Sequence, residues 1–269
     1  MTEANGEGQA VLRSRSVAVA GGELVLHEIG SGPPVVFLHG WTLDHRQWLP
    51  QSALANGWRI ILPDRRGCGA SSAPSDLSAE AEDVLAMVGD GPFALVGLSQ
   101  GGAVALDVAR RFPDRVAALV LAGAPLHGVV PLPDGEEEDV PRRLYAGYVG
   151  LGQVDAMKQA WSNHPFTQVA APMRQLVADM ISAYDGRDLL NPPSPLQFSA
   201  GDVEGLPMPV MALAGEQDGP WRQSVAAFIG SHAPRGMAAF VRDAGHLCNL
   251  DQPAMFNRLV TAFFEEHFQ

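Results

Sequence analysis

The sequence predicts an α/β fold, a mainly parallel eight-stranded sheet flanked by helices, with a helical insert before the last two strands. Three observations carry this expectation. Short runs that are apolar throughout alternate with segments of helical length and period, as expected for strands buried on both faces under helices. The alternation stops between about residues 125 and 207, where no buried-strand run occurs. Proline clusters stand toward its two ends, Pro131 and Pro133 near the start and Pro192, Pro193 and Pro195 near the finish.

Taken in order, residues 11–20 and 24–29 read as a hairpin closed by Gly21 and Gly22, a dipeptide suited to a tight turn. Residues 35–38, 60–62, 94–96, 118–121, 210–214 and 238–241 are apolar throughout and read as buried strands. A helix is expected in each interval between strands from the third onward. One opens at Leu77, with Ser78 as its N-cap. Another covers 100–112 and is stopped by Pro113 and Asp114. The last covers 252–268, with Pro253 in the first turn, where a missing N–H costs nothing. The core is therefore expected over 1–124 and 208–269, and a helical cap over 125–207. Tyr145, Tyr148, Met157, Trp161, Phe166, Met173 and Met180 recur there at roughly helical spacing and read mainly as cap core.

Composition narrows the function classes. The chain has 269 residues, 46% hydrophobic and 18% charged, which is a globular composition with enough length for a sizeable core. Eighteen Lys and Arg against 30 Asp and Glu give a net charge of −12, which repels phosphate backbones and argues against nucleic acid. Cys68 and Cys248 have neither a disulfide framework nor zinc-ligand spacing, and read as free thiols. No run reaches the ~18 apolar residues of a membrane span. The N-terminus lacks the apolar core of a signal peptide, so a cytoplasmic location is expected. The acidic run Glu136 to Asp139 reads as a solvated loop.

The chemistry centres on Gly97-Leu98-Ser99-Gln100-Gly101, a G-x-S-x-G pattern between an expected strand and an expected helix. A tight turn there lifts the serine hydroxyl above the sheet edge, and side chains at Gly97 or Gly101 would collide with facing backbone. A serine needs a base to act as a nucleophile. Of the eight histidines, His246 follows the last expected strand, at the same end of the sheet as Ser99. An acid must orient that base, and the expected chain order is Ser, acid, His. Asp218 fits, following the strand at 210–214, with Glu216 and Asp243 as rivals. The other position for such an acid, after the strand at 118–121, reads Ala122-Gly123-Ala124-Pro125 and has no carboxylate. A developing oxyanion needs two N–H donors. The backbone of Gln100, after the nucleophile, is one, and that of Trp41, in the loop His39-Gly40-Trp41, is the other.

The motifs VVFLHG, PDRRGCGASS, GLSQGG, LAGEQD and DAGHLCNLDQP, in that order over nearly the whole chain, resemble the α/β-hydrolase superfamily. The tail motif is most similar to 3-oxoadipate enol-lactonases and small carboxylesterases. The resemblance implies an α/β-hydrolase fold with Ser99 as nucleophile, Asp218 as acid, His246 as base, and Trp41 and Gln100 as oxyanion donors. Serine at the nucleophile position departs from haloalkane dehalogenases and epoxide hydrolases, which carry aspartate there. Asp64-Arg65-Arg66-Gly67 matches a loop the family uses structurally.

The resulting expectation is a cap-bearing hydrolase that transfers an acyl group from a small-molecule ester or lactone to water, with no metal and no cofactor. Trp41, Trp161 and Phe166 are expected to line an apolar substrate pocket. A C–C bond hydrolase or cofactor-free perhydrolase on the same residues is the alternative. A non-catalytic ligand-binding protein would most cheaply be betrayed by a missing triad member, and none is missing. Arg142, Arg143, Lys158 and Arg174 are the cations the insert offers an acidic substrate, since −12 gives no long-range steering.

Overall fold

The computed structural model describes residues 11–133 and 140–268. The N-terminal ten residues and the acidic run at 136–139 lie outside them. The strands are β1 (Arg13–Val19), β2 (Gly22–Ile29), β3 (Pro34–Leu38), β4 (Arg59–Pro63), β5 (Phe93–Leu98), β6 (Val116–Ala122), β7 (Val210–Gly215) and β8 (Gly236–Val241). They form one eight-stranded sheet in the order β1-β2-β4-β3-β5-β6-β7-β8. β1 and β2 form the antiparallel hairpin and β2 pairs antiparallel with β4. Every pairing from β4 through β3 to β8 is parallel. The order is that of a mainly parallel sheet, and β5 and β7 are buried at every position, as their apolar runs imply. β8 is not the buried strand expected over 238–241, because it stands at the sheet edge with Ala238 and Phe240 exposed and only Val241 fully buried.

Successive residues of a strand point to opposite faces, and the two hydrophobic clusters follow that alternation. Val35 and Phe37 of β3 and Ala94, Val96 and Leu98 of β5 enter one cluster, while Val36, Leu38, Phe93 and Leu95 enter the other. The second cluster is covered by α1 (Glu80–Val88), α2 (Gln100–Arg111) and α8 (Pro220–His232). Before α8 come α3 (Arg142–Gly150), α4 (Val154–Ser162), α5 (Arg174–Ala183), α6 (Arg187–Leu190) and α7 (Ala200–Glu204), all between β6 and β7. Side chains of α3 to α6, among them Tyr145, Met157, Trp161 and Met180, join the first cluster beside Trp41. Val203 of α7 and Leu206 belong to the second cluster, against which Val129 and Phe198 also pack. The chain ends in α9 (Cys248–Asp251) and α10 (Pro253–His267), whose Phe256 and Phe264 pack with Trp48 and Trp58. No helix among the described residues is long and apolar enough to cross a membrane.

Two helix expectations are corrected as well. The segment between β3 and β4 is a 3-10 helix over His45–Asn56 rather than an α-helix. Pro50 lies inside it and lacks the N–H that an α-helical turn would use. Ser78 does not cap α1. The N-cap is Ala79, without a side-chain hydrogen bond, while the Ser78 hydroxyl donates to Asp76 at 2.7 Å. The acidic first turn of α1 instead meets two arginines, Arg65 on Glu80 and Arg66 on Asp83.

Candidate active site

Ser99 stands between β5 and α2 with φ 54° and ψ −123°, a left-handed backbone for a residue with a side chain. The turn is held by the Ser99 N–H donating to the Ala122 carbonyl at 2.8 Å and by the Ser99 carbonyl accepting from Gly102 and Ala103. Close approach explains the flanking glycines. A Cβ on Gly97 would lie 2.3 Å from the Gly101 carbonyl oxygen, and one on Gly101 would lie 2.2 Å from that of Leu38. The serine is thus pinned on a strained turn by neighbouring backbone, a conformation that costs about 1–3 kcal/mol.

His246 and Asp218 occupy the loops after β8 and β7, adjacent parallel strands, so both arrive at the same sheet end. His246 Nδ1 donates to Asp218 Oδ2 at 2.9 Å, with Oδ1 at 3.1 Å. Because a carboxylate only accepts, Nδ1 carries the proton and Nε2 of the neutral ring is a bare acceptor. Nε2 is buried and has no hydrogen-bond partner among the described residues. Asp218 Oδ1 also accepts from the Gly219 N–H at 2.8 Å. The rivals Glu216 and Asp243 are exposed, whereas Asp218 is buried. The missing carboxylate after β6 has a steric reason too. A Cβ on Gly123 would stand 3.0 Å from the His246 ring, so the imidazole occupies the space that a side chain there would need.

The loop after β3 reaches the serine from the other side. A Cβ on Gly40 would lie 3.6 Å from the Ser99 Cβ. The loop is strapped in place: the Gly40 N–H donates to Gln47 Oε1 at 2.8 Å, and His39 Nε2 accepts from the Arg65 N–H at 3.0 Å. That fixes the His39 proton on Nδ1, which donates to the Gly40 carbonyl at 2.8 Å. Arg65 Nη1 donates both to the His39 carbonyl and to Gln100 Oε1, at 2.9 and 3.3 Å, and its other edge forms a buried fork with Glu80. Arg65 therefore ties the Trp41 loop to the residue after the serine. The N–H of Gln100, in the first turn of α2, has no intrahelical acceptor.

Ser99, Gln100, Trp41 and His246 line one cavity of about 320 Å³. Trp161 and Phe166 line it as well, so the expected site residues come together, with Asp218 behind the imidazole. Phe166 lies on the His246 ring, and the Trp161 indole donates to Thr42 at 2.7 Å. Of the insert's cations, Arg142 lines the cavity, whereas Lys158 donates to the Ser182 carbonyl at 2.6 Å and Arg174 to that of Val169 at 3.3 Å. Arg222, four residues after Asp218, also lines the cavity, and sequence reasoning passed over it. Its available signal was position, four residues beyond the candidate acid.

A second histidine–aspartate group lies outside the cavity. His45 Nδ1 and Asp64 Oδ1 are 2.7 Å apart, and the rings of His27 and His45 stack with centroids 3.5 Å apart and planes 18° apart. Near-parallel stacked rings direct their in-plane lone pairs side by side rather than onto a common ion, which suits a packing role. Cys248 is buried, and burial pushes its thiol well up, away from the reactive thiolate.

The alpha/beta hydrolase fold family matches the chain over residues 33–253, and the protein belongs to it. The chain is 30% identical over 267 residues to the dihydrolipoyllysine-residue acetyltransferase component of the acetoin cleaving system of Pseudomonas putida, spanning 93% of this chain and 69% of that protein. It is 28% identical over 257 residues to carboxylesterase YbfK of Bacillus subtilis, spanning 88% and 83% of the two. The solved thermophilic esterase from Thermogutta terrifontis aligns with a TM-score of 0.72 and 26% identity, over 96% of this chain and 99% of that one.

Proposed function

We propose that this protein is a serine hydrolase that cleaves a carboxylic ester or lactone through an acyl-enzyme. His246 Nε2 takes the proton of Ser99 Oγ as the oxygen attacks the substrate carbonyl. The backbone N–H groups of Trp41 and Gln100 hold the tetrahedral oxyanion. The imidazolium, stabilised by Asp218, then protonates the departing alkoxide. Water repeats the sequence on the acyl-enzyme, with His246 again as base, and releases the acid and Ser99. Residues 125–207 act as a cap that selects the substrate, with Trp161, Phe166 and Trp41 forming its apolar walls.

The observation that carries this reading is the bond from His246 Nδ1 to the buried Asp218, which leaves Nε2 as an acceptor in a ring that shares its cavity with Ser99. Likeness to a carboxylesterase over most of both chains supports the ester as substrate class. The test is a panel of p-nitrophenyl esters and aliphatic lactones, read with mass spectrometry of the quenched enzyme. An acyl adduct on the peptide holding Ser99 is expected. Turnover with no adduct under any quench, together with an active Ser99→Ala variant, defeats the proposal.

A further inference from the structure

The indole of Trp41 is embedded in the insert, although its backbone belongs to the loop after β3. The side chain is buried. Three aromatic rings of the insert stand around it: Tyr145 of α3 at 6.2 Å between centroids, Trp161 of α4 at 5.1 Å, and Tyr184, directly after α5, edge-on at 5.6 Å. The indole N–H is engaged as well. Nε1 donates at 2.8 Å to Asp188 Oδ2, on α6. The other carboxylate oxygen, Oδ1, accepts from the Tyr184 hydroxyl. Burial and the neighbouring Asp188 push the ionisation of that hydroxyl well up, so it stays a donor. Each oxygen of Asp188 is thus committed to one ring, and the tyrosine turns the carboxylate toward the tryptophan.

The peptide that carries the Trp41 N–H is held from two sides. Its carbonyl end, on Gly40, accepts from His39 Nδ1 at 2.8 Å and from the Leu43 N–H at 3.4 Å. Among the described residues the N–H itself has no acceptor. Immediately beyond, Thr42 takes φ 65°, which is rare for a β-branched residue. The chain therefore turns sharply at Trp41. An indole is joined to its backbone through only two rotatable bonds, so a ring fixed by Asp188 constrains the Cα from which that N–H springs.

We propose that Asp188 is a positioning residue: by holding the Trp41 indole it sets the direction of the Trp41 backbone N–H, so that the insert completes the oxyanion hole of the core. This rests on the serine-hydrolase reading. Asp188→Ala and Asp188→Asn are compared with wild type on p-nitrophenyl acetate. The kcat is expressed per site titrated to completion with a fluorophosphonate, so misfolded protein does not count. Asp188→Ala should lower kcat about tenfold or more with KM within about twofold, because an oxyanion donor acts on the transition state, and outright loss of one donor costs about 10²–10³. Asp188→Asn should recover most of the rate, since its amide oxygen can accept from the indole and its amide nitrogen can donate to the tyrosine oxygen.

Inhibition by 1,1,1-trifluoro-2-octanone and by 2-octanone gives a second readout. With the fluorinated ketone, Ser99 Oγ bonds to the carbonyl carbon, its proton passes to His246, and the carbonyl oxygen becomes an oxyanion; the plain ketone binds without this adduct. Asp188→Ala should weaken the first inhibitor by about the factor lost in kcat and leave the second unchanged. A merely structural role would lower Tm and the titratable fraction, and would move neither kcat per site nor the ratio of the two inhibition constants. A kcat per site within twofold of wild type in Asp188→Ala, or equal weakening of both ketones, overturns the proposal. If Asp188→Ala does not fold, Tyr184→Phe, which leaves the carboxylate free to turn from the indole, must shift the ketone ratio in the same direction, and an unmoved ratio there overturns it too. A wild-type protein that neither cleaves the ester nor reacts with the fluorophosphonate defeats the hydrolase reading and the role of Asp188 together, whereas an active wild type beside an unmoved variant removes the role of Asp188 alone.

Discussion

The ring of Phe166 lies flat on the imidazole of His246, with centroids 4.0 Å and planes 19° apart. The aromatic that the sequence offers as a pocket wall thus also confines the rotation of the proposed base. Phe166→Ala should therefore act in two ways. It should shift preference among acyl chain lengths, and it should lower kcat by about 10-fold even on a small acetate ester, because a misplaced group costs rate steeply. Trp161→Ala, lacking the contact with His246, should alter chain-length preference with less effect on acetate. Steady-state kinetics on acetate, butyrate and octanoate esters separate the two effects. Equal kcat loss in both variants on acetate would remove the positioning role of Phe166.

Ser99 adopts φ 54° although it is not glycine, and the strain of that turn serves exposure of the hydroxyl. Ser99→Ala keeps the strain and loses the proposed nucleophile. It should lower kcat by about 10⁴–10⁶ with an unchanged melting temperature. Ser99→Gly should be equally inactive but more stable than Ser99→Ala by about 1 kcal/mol, or about 2–4 °C in Tm, because relief of strain exceeds the entropy gained by the unfolded chain. Calorimetry on both variants checks this. A glycine variant no more stable than the alanine variant means the turn is not strained.

The proposed role of Asp218 as the acid rests on its burial and its bond to His246. Asp218→Asn replaces an acceptor that fixes the imidazole tautomer and stabilises the imidazolium, and should lower kcat by about 10³–10⁴. His246→Ala should cost more, since the base itself is lost. Glu216→Gln and Asp243→Asn, at exposed positions, should stay within about twofold of wild type, as surface substitutions usually do. A crippled Asp243→Asn with a healthy Asp218→Asn would transfer the role to Asp243.

The fold, and the turn that carries the candidate nucleophile, were legible because each depends on local chain chemistry. Runs such as Ala94 to Val96 can only be strands buried on both faces, and the glycines around Ser99 mark a backbone packed against backbone. Contacts made across the sheet end were not legible. Arg65 and Arg66 are neighbours in an unremarkable loop, and nothing local says that they reach Glu80 and Asp83 or that Arg65 also touches Gln100. Arg222 reads as one more polar residue in the first turn of a helix, since its direction depends on where Gly123 and Phe166 stand. The expected α-helix before β4 failed because Pro50 lies among good helix formers, and a proline decides between helix types through one missing N–H.

The close approach at Gly101 predicts a steep steric response. An added Cβ would meet the Leu38 and His39 carbonyl oxygens at 2.2 and 2.5 Å, both backbone atoms that cannot rotate away. Gly101→Ala should therefore push the Trp41 loop off α2, lose about 2–4 kcal/mol of stability, and lose activity disproportionately. Gly147→Ala is the matched control, since its Cβ would meet nothing within 4 Å inside α3. It should be stabilising by about 0.5–1 kcal/mol through helix propensity. Denaturant titration of both variants tests the contrast, and a Gly101→Ala protein as stable as wild type would mean the elbow is not packed against β3.

His39 sets a pH limit on that same loop. Burial and the neighbouring Arg65 guanidinium hold its imidazole down at about 4, against an ordinary value of 6.5. Between pH 6.5 and 4 the unfolded chain binds a proton at this position and the folded chain does not. Stability from this group is therefore fully present above about pH 6.5 and is lost as pH falls toward 4, with a slope of up to about 1.4 kcal/mol per unit. Below about 4 both states are protonated and the loss stops. In His39→Gln the amide oxygen can still accept from the Arg65 N–H but does not titrate. That variant should be less stable at pH 8 and should lose less stability than wild type between pH 7 and 4.5. Urea titrations of both proteins at pH 8, 7, 6, 5 and 4.5 give the two slopes, and carboxylates common to both cancel in their difference. Parallel slopes would show that His39 carries no depressed ionisation in the folded state.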